Sequence, residues 1–184
     1  MSALLKFATG MDQLSHRLGQ VAAWAVLFAA MISAGNAFIR YGIDWSSNGL
    51  LEIQWYLFAW MVMVGAPYVL KVNEHVRVDL IYGKLKGNGP VYVDIFGLLV
   101  FLMPVMGFLT WLSFPYFWNT LVTGEYSSNA GGLIRWPATL AMPVGFAMVW
   151  LQGLAELIKR VAYLRGEYSM DTHYEKPLQS CRTP

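Results

Sequence analysis

The side chains able to do chemistry in this sequence stand mainly at the two ends of one apolar stretch. Glu52 opens the run LLEIQWYLFAWMVMVGAPYVL with Gln54 two residues on, and Lys71, Glu74, His75, Arg77 and Asp79 follow it directly in KVNEHVRVD. A lone carboxylate can pair with an arginine or carry a proton, and a mixed cluster of acid, imidazole and guanidinium can exchange protons or grip a partner. A proton or substrate path through a membrane needs further acids or histidines at depth, and the middle parts of the apolar runs contain none. Pairing is therefore the plainer role for Glu52, with Arg40 or Arg135 as the cation, while Asn36 and Gln54 bond across helices. Missing motifs narrow the chemistry further: no GxxxxGK[ST] loop, HExxH or CxxC is present. All three histidines, His16, His75 and His173, lie outside the apolar runs, which argues against axial ligation of a haem between helices. Cys181 is the single cysteine and makes no internal disulfide.

The elements that position these groups are membrane spans. The chain is 57% hydrophobic and 13% charged, about half the charged share of ordinary soluble domains. Its eight tryptophans, ten tyrosines and ten phenylalanines suit interfacial anchoring. A net charge of +2 without a basic stripe gives no footing for nucleic acid. Four runs approach or exceed the ~20 residues that cross a bilayer core: about 21–39, 51–70, 91–112 and 133–158. The first is longer than the ~7–15 residues of a signal-peptide core and begins late, so it reads as a retained helix. The predicted fold is all-α, a four-helix integral membrane domain over 1–165 with a polar tail over 166–184.

Orientation follows from the basic residues. Eleven of the thirteen lysines and arginines precede the first run, lie between the second and third, or follow the fourth; only Arg40 and Arg135 fall on the other side. The positive-inside rule then places both termini and the 71–90 connection in the cytoplasm. Trp45, Trp111, Trp118 and Trp136 gather toward the opposite face as an aromatic belt.

The connections and prolines refine this frame. YGIDWSSNG, residues 41–49, is just long enough to turn an antiparallel pair. The longer 113–132 connection is predicted to continue the third helix or lie in the interface before turning at Gly131-Gly132. Pro67, Pro104 and Pro143 predict kinks that neighbouring helices can accommodate, and Pro137 suits a helix start. At the inner surface Asp94 and Glu156 are expected to pair with Lys71, Lys84, Lys86 or Lys159. Val72, Val76, Leu80 and Ile81 share a helical face, while Val76, Val78 and Leu80 also alternate as in a strand. The 74–79 cluster is thus either a solvated amphipathic turn or a docking point for another subunit.

Glu52, Trp55, Trp60, Gly65 and Ala66, followed by His75-Val76-Arg77-Val78-Asp79-Leu80, resemble the small membrane subunit of tripartite ATP-independent periplasmic (TRAP) transporters, the DctQ-type family. The resemblance is specific over residues 45–85 and covers all four spans in topology. It implies a bacterial inner-membrane complex. A periplasmic DctP-type binding protein delivers an organic acid to a large DctM-type membrane subunit, which holds the sodium and substrate sites. The small subunit braces that large subunit, with membrane lipids at the seam and no cofactor, metal or catalytic residue of its own. On this reading Arg40, Glu52, Gln54, Trp55, Trp60, Glu74, His75, Arg77, Asp79 and Arg135 are the candidate structural and partner-contact residues. The rival readings are a membrane anchor of an electron-transfer complex and a self-sufficient small transporter.

Overall fold

The structure is a computed structural model that describes residues 2–44, 47–72, 88–129 and 131–169. Glu74, His75, Arg77 and Asp79, and the tail from 170 onward, lie outside the described residues. The chain is all-helical: α1 (Ser2–Ile43), α2 (Asn48–Lys71), α3 (Gly89–Gly97), a π-helical turn (Leu98–Leu102), α4 (Met103–Thr123) and α5 (Trp136–Leu164). The third span comprises α3, the π turn and α4, and among the described residues four helices are long and apolar enough to cross a membrane.

α1 outruns the apolar segment that announces it. The expected span covers 21–39, whereas the helix has 42 residues and is roughly 60 Å long, about twice the hydrocarbon thickness. The added turns carry a buried edge at helical spacing, Ala8, Met11 and Ser15, and this edge packs on Ala155, Leu151 and Ile158 of α5. Apolar burial against α5 thus stabilises helix where the other face mixes polar residues with exposed Leu4, Phe7 and Leu14. The third span also extends past its expected end near 112, to Thr123, where Gly124 takes the left-handed conformation (φ 60°) and its N–H caps the Thr120 carbonyl.

Of the three expected kinks, the described hydrogen bonding departs from α-helix at one. α2 and α5 continue through Pro67 and Pro143, but ahead of Pro104 the Met103 N–H reaches back to the Leu98 carbonyl, closing a π turn. Proline lacks an amide and its ring clashes with the carbonyl four residues earlier, here Val100, so the inserted residue of the π turn absorbs both effects.

α5 is the hub. It packs against α1, α2 and the third span, and α1 packs additionally on α2, but neither α1 nor α2 packs substantially on the third span. Close approach depends on glycine. A Cβ on Gly145 would stand 2.5 Å from the Met63 Cβ and 3.0 Å from its Cα, and one on Gly153 would stand 2.5 Å from Leu102 Cδ2. Gly145 and Gly153 therefore serve packing within the chain, whereas Ala30, Ser33, Ala34 and Ala37 of α1 are exposed. Replacing Gly145 with alanine forces α2 and α5 apart and is expected to cost about 1–3 kcal/mol, read as a lower melting temperature in detergent. Gly35→Ala, where a Cβ meets nothing within 4 Å, is the control expected to melt like the parent.

Candidate functional sites at the two ends of the bundle

At the end carrying the α1–α2 and α4–α5 connections, one face of α2 grips the chain entering α5. Glu52, Tyr56 and Trp60 are spaced by four and so project from one side of the helix. The Glu52 carboxylate accepts hydrogen bonds from the Leu133 N–H (2.6 Å) and the Asn129 side-chain amide (2.8 Å). The Tyr56 hydroxyl donates to the Ile134 carbonyl (2.9 Å), and the Trp60 indole N–H donates to the Pro137 carbonyl (2.9 Å). The three side chains thus bind backbone groups in near succession, and Glu52 is only 2% exposed.

The gripped loop is ordered by its own bonds. Ser127 N–H donates to the Leu133 carbonyl and Arg135 N–H to the Glu125 carbonyl, both at 2.9 Å, beside an antiparallel bridge between Tyr126 and Ile134. Gly132 is required in this fold, because a Cβ there would lie 2.7 Å from Ser127 Cβ and 2.9 Å from the Asn129 carbonyl oxygen.

The expected pairing of Glu52 with Arg40 or Arg135 is therefore corrected. Neither arginine makes an ion pair with Glu52; Arg135 pairs with Glu125, with both side chains about 40% exposed, and Arg40 is exposed near the end of α1. Backbone and amide donors are pre-placed by the loop and need no second buried charge. Arg135 still lines the cavity of about 590 Å³ beside Glu52. Gln54 makes the expected bond across helices, to the Ala29 carbonyl of α1 at 3.3 Å. Asn36 is buried, but its side-chain oxygen has no hydrogen-bond partner among the described residues, so the expected second cross-helix bond through that atom is absent. Trp55 is exposed and, unlike Trp60, makes no part of this clasp.

At the opposite end, where α1 begins and α5 finishes, the charged groups form a buried network in which Glu156–Lys159 is the expected pair that is seen, while Lys84 and Lys86 lie outside the described residues. Lys159 bonds both carboxylate oxygens of Asp12 (3.0 and 3.1 Å) and also pairs with Glu156. Arg160 pairs with Glu156 and, through Nε, with Asp94 at 3.0 Å. Gln152 joins the groups, donating to Asp12 and Glu156 and accepting from the Ser15 hydroxyl at 2.7 Å. Lys71, expected to meet Asp94 or Glu156, instead donates to the backbone carbonyl of Asp12 at 3.1 Å. The network thus ties α1, α2, α3 and α5 together. Asp12, Ser15, Gln152 and Arg160 escaped the sequence reading as site residues, although Gln152, Glu156, Lys159 and Arg160 recur at helical spacing on one face of α5.

The buried charges thus stand at the two ends of the spans, and beside contacts within α5 they make bonds that join one helix or loop to another. Among the described residues no three His, Cys, Asp or Glu side chains come together to hold a metal ion. This fold and these sites define a multi-span membrane protein whose ionisable groups stitch its helices. Residues 29–162 match the family model for tripartite ATP-independent periplasmic transporters, DctQ component, and the chain belongs to that family. It is the small membrane component of a TRAP transporter. Among curated proteins and solved structures, none matches the chain.

Two outcomes test these assignments. Glu52→Ala should free the loop, raising hydrogen exchange at the Leu133 amide about tenfold or more; Glu52→Gln, which keeps one acceptor oxygen, should fall between. Arg160→Leu removes the cation shared by Asp94 and Glu156, leaving Glu156 its bonds to Lys159 and Gln152, and should cost about 3–5 kcal/mol by thermal or denaturant unfolding, whereas Arg160→Leu combined with Asp94→Leu should cost less.

Proposed function

We propose that this chain is the non-catalytic small permease subunit of a sodium-coupled, binding-protein-dependent transporter for an organic acid, and that its work is to brace the large transporting subunit. The observation that carries the reading is the placement of the buried polar groups within a chain of this family. They bond helix to loop at one end and helix to helix at the other, as a rigid brace requires, and the apolar runs between them carry no series of acids or histidines such as a relay uses. Sodium and solute are then bound by the large DctM-type partner, and the solute arrives on a DctP-type periplasmic binding protein. In this reading the chain lies in the bacterial inner membrane, and the charged end, with both termini, faces the cytoplasm. The distribution of eleven of thirteen basic residues supports that orientation.

The expectation follows that Glu52→Gln, or Arg77→Ala in the segment outside the described residues, lowers uptake chiefly by weakening assembly. Co-purification with the large subunit, measured beside solute uptake in reconstituted vesicles, checks this. Loss of uptake with normal co-purification would instead give this chain a direct part in transport. Uptake by the chain reconstituted alone would favour the self-sufficient transporter.

A further inference from the structure

α2 and the third span both lean on α5 without packing on each other, and between them runs a groove of about 850 Å³. Its walls include Met61, Gly65 and Val69 of α2 and Gly97, Phe101 and Met106 of the third span. Both walls belong to spans, so the groove is reached from the bilayer. Along α2 it occupies positions 61 to 70, roughly 15 Å of helix, and along the third span positions 93 to 106, roughly 20 Å, together about half to two thirds of the ~30 Å hydrocarbon core. The part it occupies is the one toward the charged end. Its charged lining is the Asp94–Arg160 pair, which lies beyond the apolar walls toward that same end.

The geometry points to a retained glycerophospholipid of the leaflet at the charged end, with its acyl chains between α2 and the third span and its headgroup at the level of the Asp94–Arg160 pair. Two features select this occupant. A groove that opens at the charged end and stops short of the full core matches acyl chains, whereas a transmembrane helix needs a seat through the full core. The polarity runs one way, apolar walls ending in an ion pair, as a lipid does from chain to headgroup. Arg160 is already bonded to Asp94 and Glu156, so the headgroup meets a neutralised pair, and shape holds the lipid more than net charge does. A lipid so placed fills the space between two helices that do not fill it themselves and transmits packing from the third span to α2.

Gly97 supplies the test, because a Cβ there meets nothing within 4 Å although the residue lines the groove. Native mass spectrometry of the full chain, extracted from membranes in mild detergent and then delipidated and re-supplied with phosphatidylethanolamine or phosphatidylglycerol, should show a single retained phospholipid. Gly97→Phe should reduce that retention about tenfold or more, while Gly35→Phe, on α1 and outside the groove, should keep it. Ala66→Phe on the opposite wall is the second groove-filling variant, and a thermal melt of each protein shows that it is folded. The proposal is overturned if the parent chain retains no phospholipid or if both folded groove variants retain it as the parent does. It is equally overturned if lipid held by the isolated chain is lost from the complex with the large subunit, which would make a partner helix the occupant. Co-purification of the large subunit, scored separately, reads the bracing function independently of lipid retention.

Discussion

Glu52 sits almost fully buried near a membrane boundary, and a carboxylate in such a place has to be met by donors that its own fold supplies. Those donors are the Leu133 backbone amide and the Asn129 side chain, so the acid on α2 dictates where the α4–α5 connection lies. With the loop fixed, the Tyr56 hydroxyl and the Trp60 indole reach the next carbonyls, and α5 enters the bundle at a defined height against α2. Gly145 can then meet Met63 at contact distance, which brings α5 to the centre of the molecule.

The network at the other end solves a related problem with charges of both signs. Lys159 and Arg160 stand side by side near the end of α5, where burying two cations without partners would be prohibitive. Asp12 from α1, Asp94 from α3 and Glu156 from α5 itself provide the counter-charges. Because two of the acids come from other helices, neutralisation and helix registration are one event. Apolar contact discriminates little between one helix packing and another in lipid, so these directional bonds, with the glycine contacts, set which faces meet. A subunit whose ends are pinned in this way resists sliding of its helices, which suits a brace.

Much of this was legible in the sequence because apolar length is a direct readout of bilayer thickness. Four spans follow from composition and local pattern, and the continuation of the third helix beyond 112 is one of the two readings that pattern allows. The role of Trp60 was less accessible, since its partner is a carbonyl 77 positions away. The ion pair assigned to Glu52 was wrong for a physical reason: Arg135 lies close enough to line the same cavity, but the hairpin-like loop turns its side chain to Glu125. The extension of α1 was missed because residues 2–20 break their apolar positions with charged and polar ones, and only α5 packed against Ala8 and Met11 reveals their buried edge.

The sequence by itself determined that this is a four-span membrane protein of the DctQ type, because hydrocarbon thickness and family-specific residues both act locally along the chain. Only the tertiary structure decided what its ionisable residues do. A buried charge is defined by whatever long-range packing brings within hydrogen-bond distance, and one-dimensional spacing shows at most one half of each such pair. Asp12 with Lys159, Asp94 with Arg160 and Glu52 with Leu133 are joined across 147, 66 and 81 positions. Those separations close only when α5 lies between its neighbours.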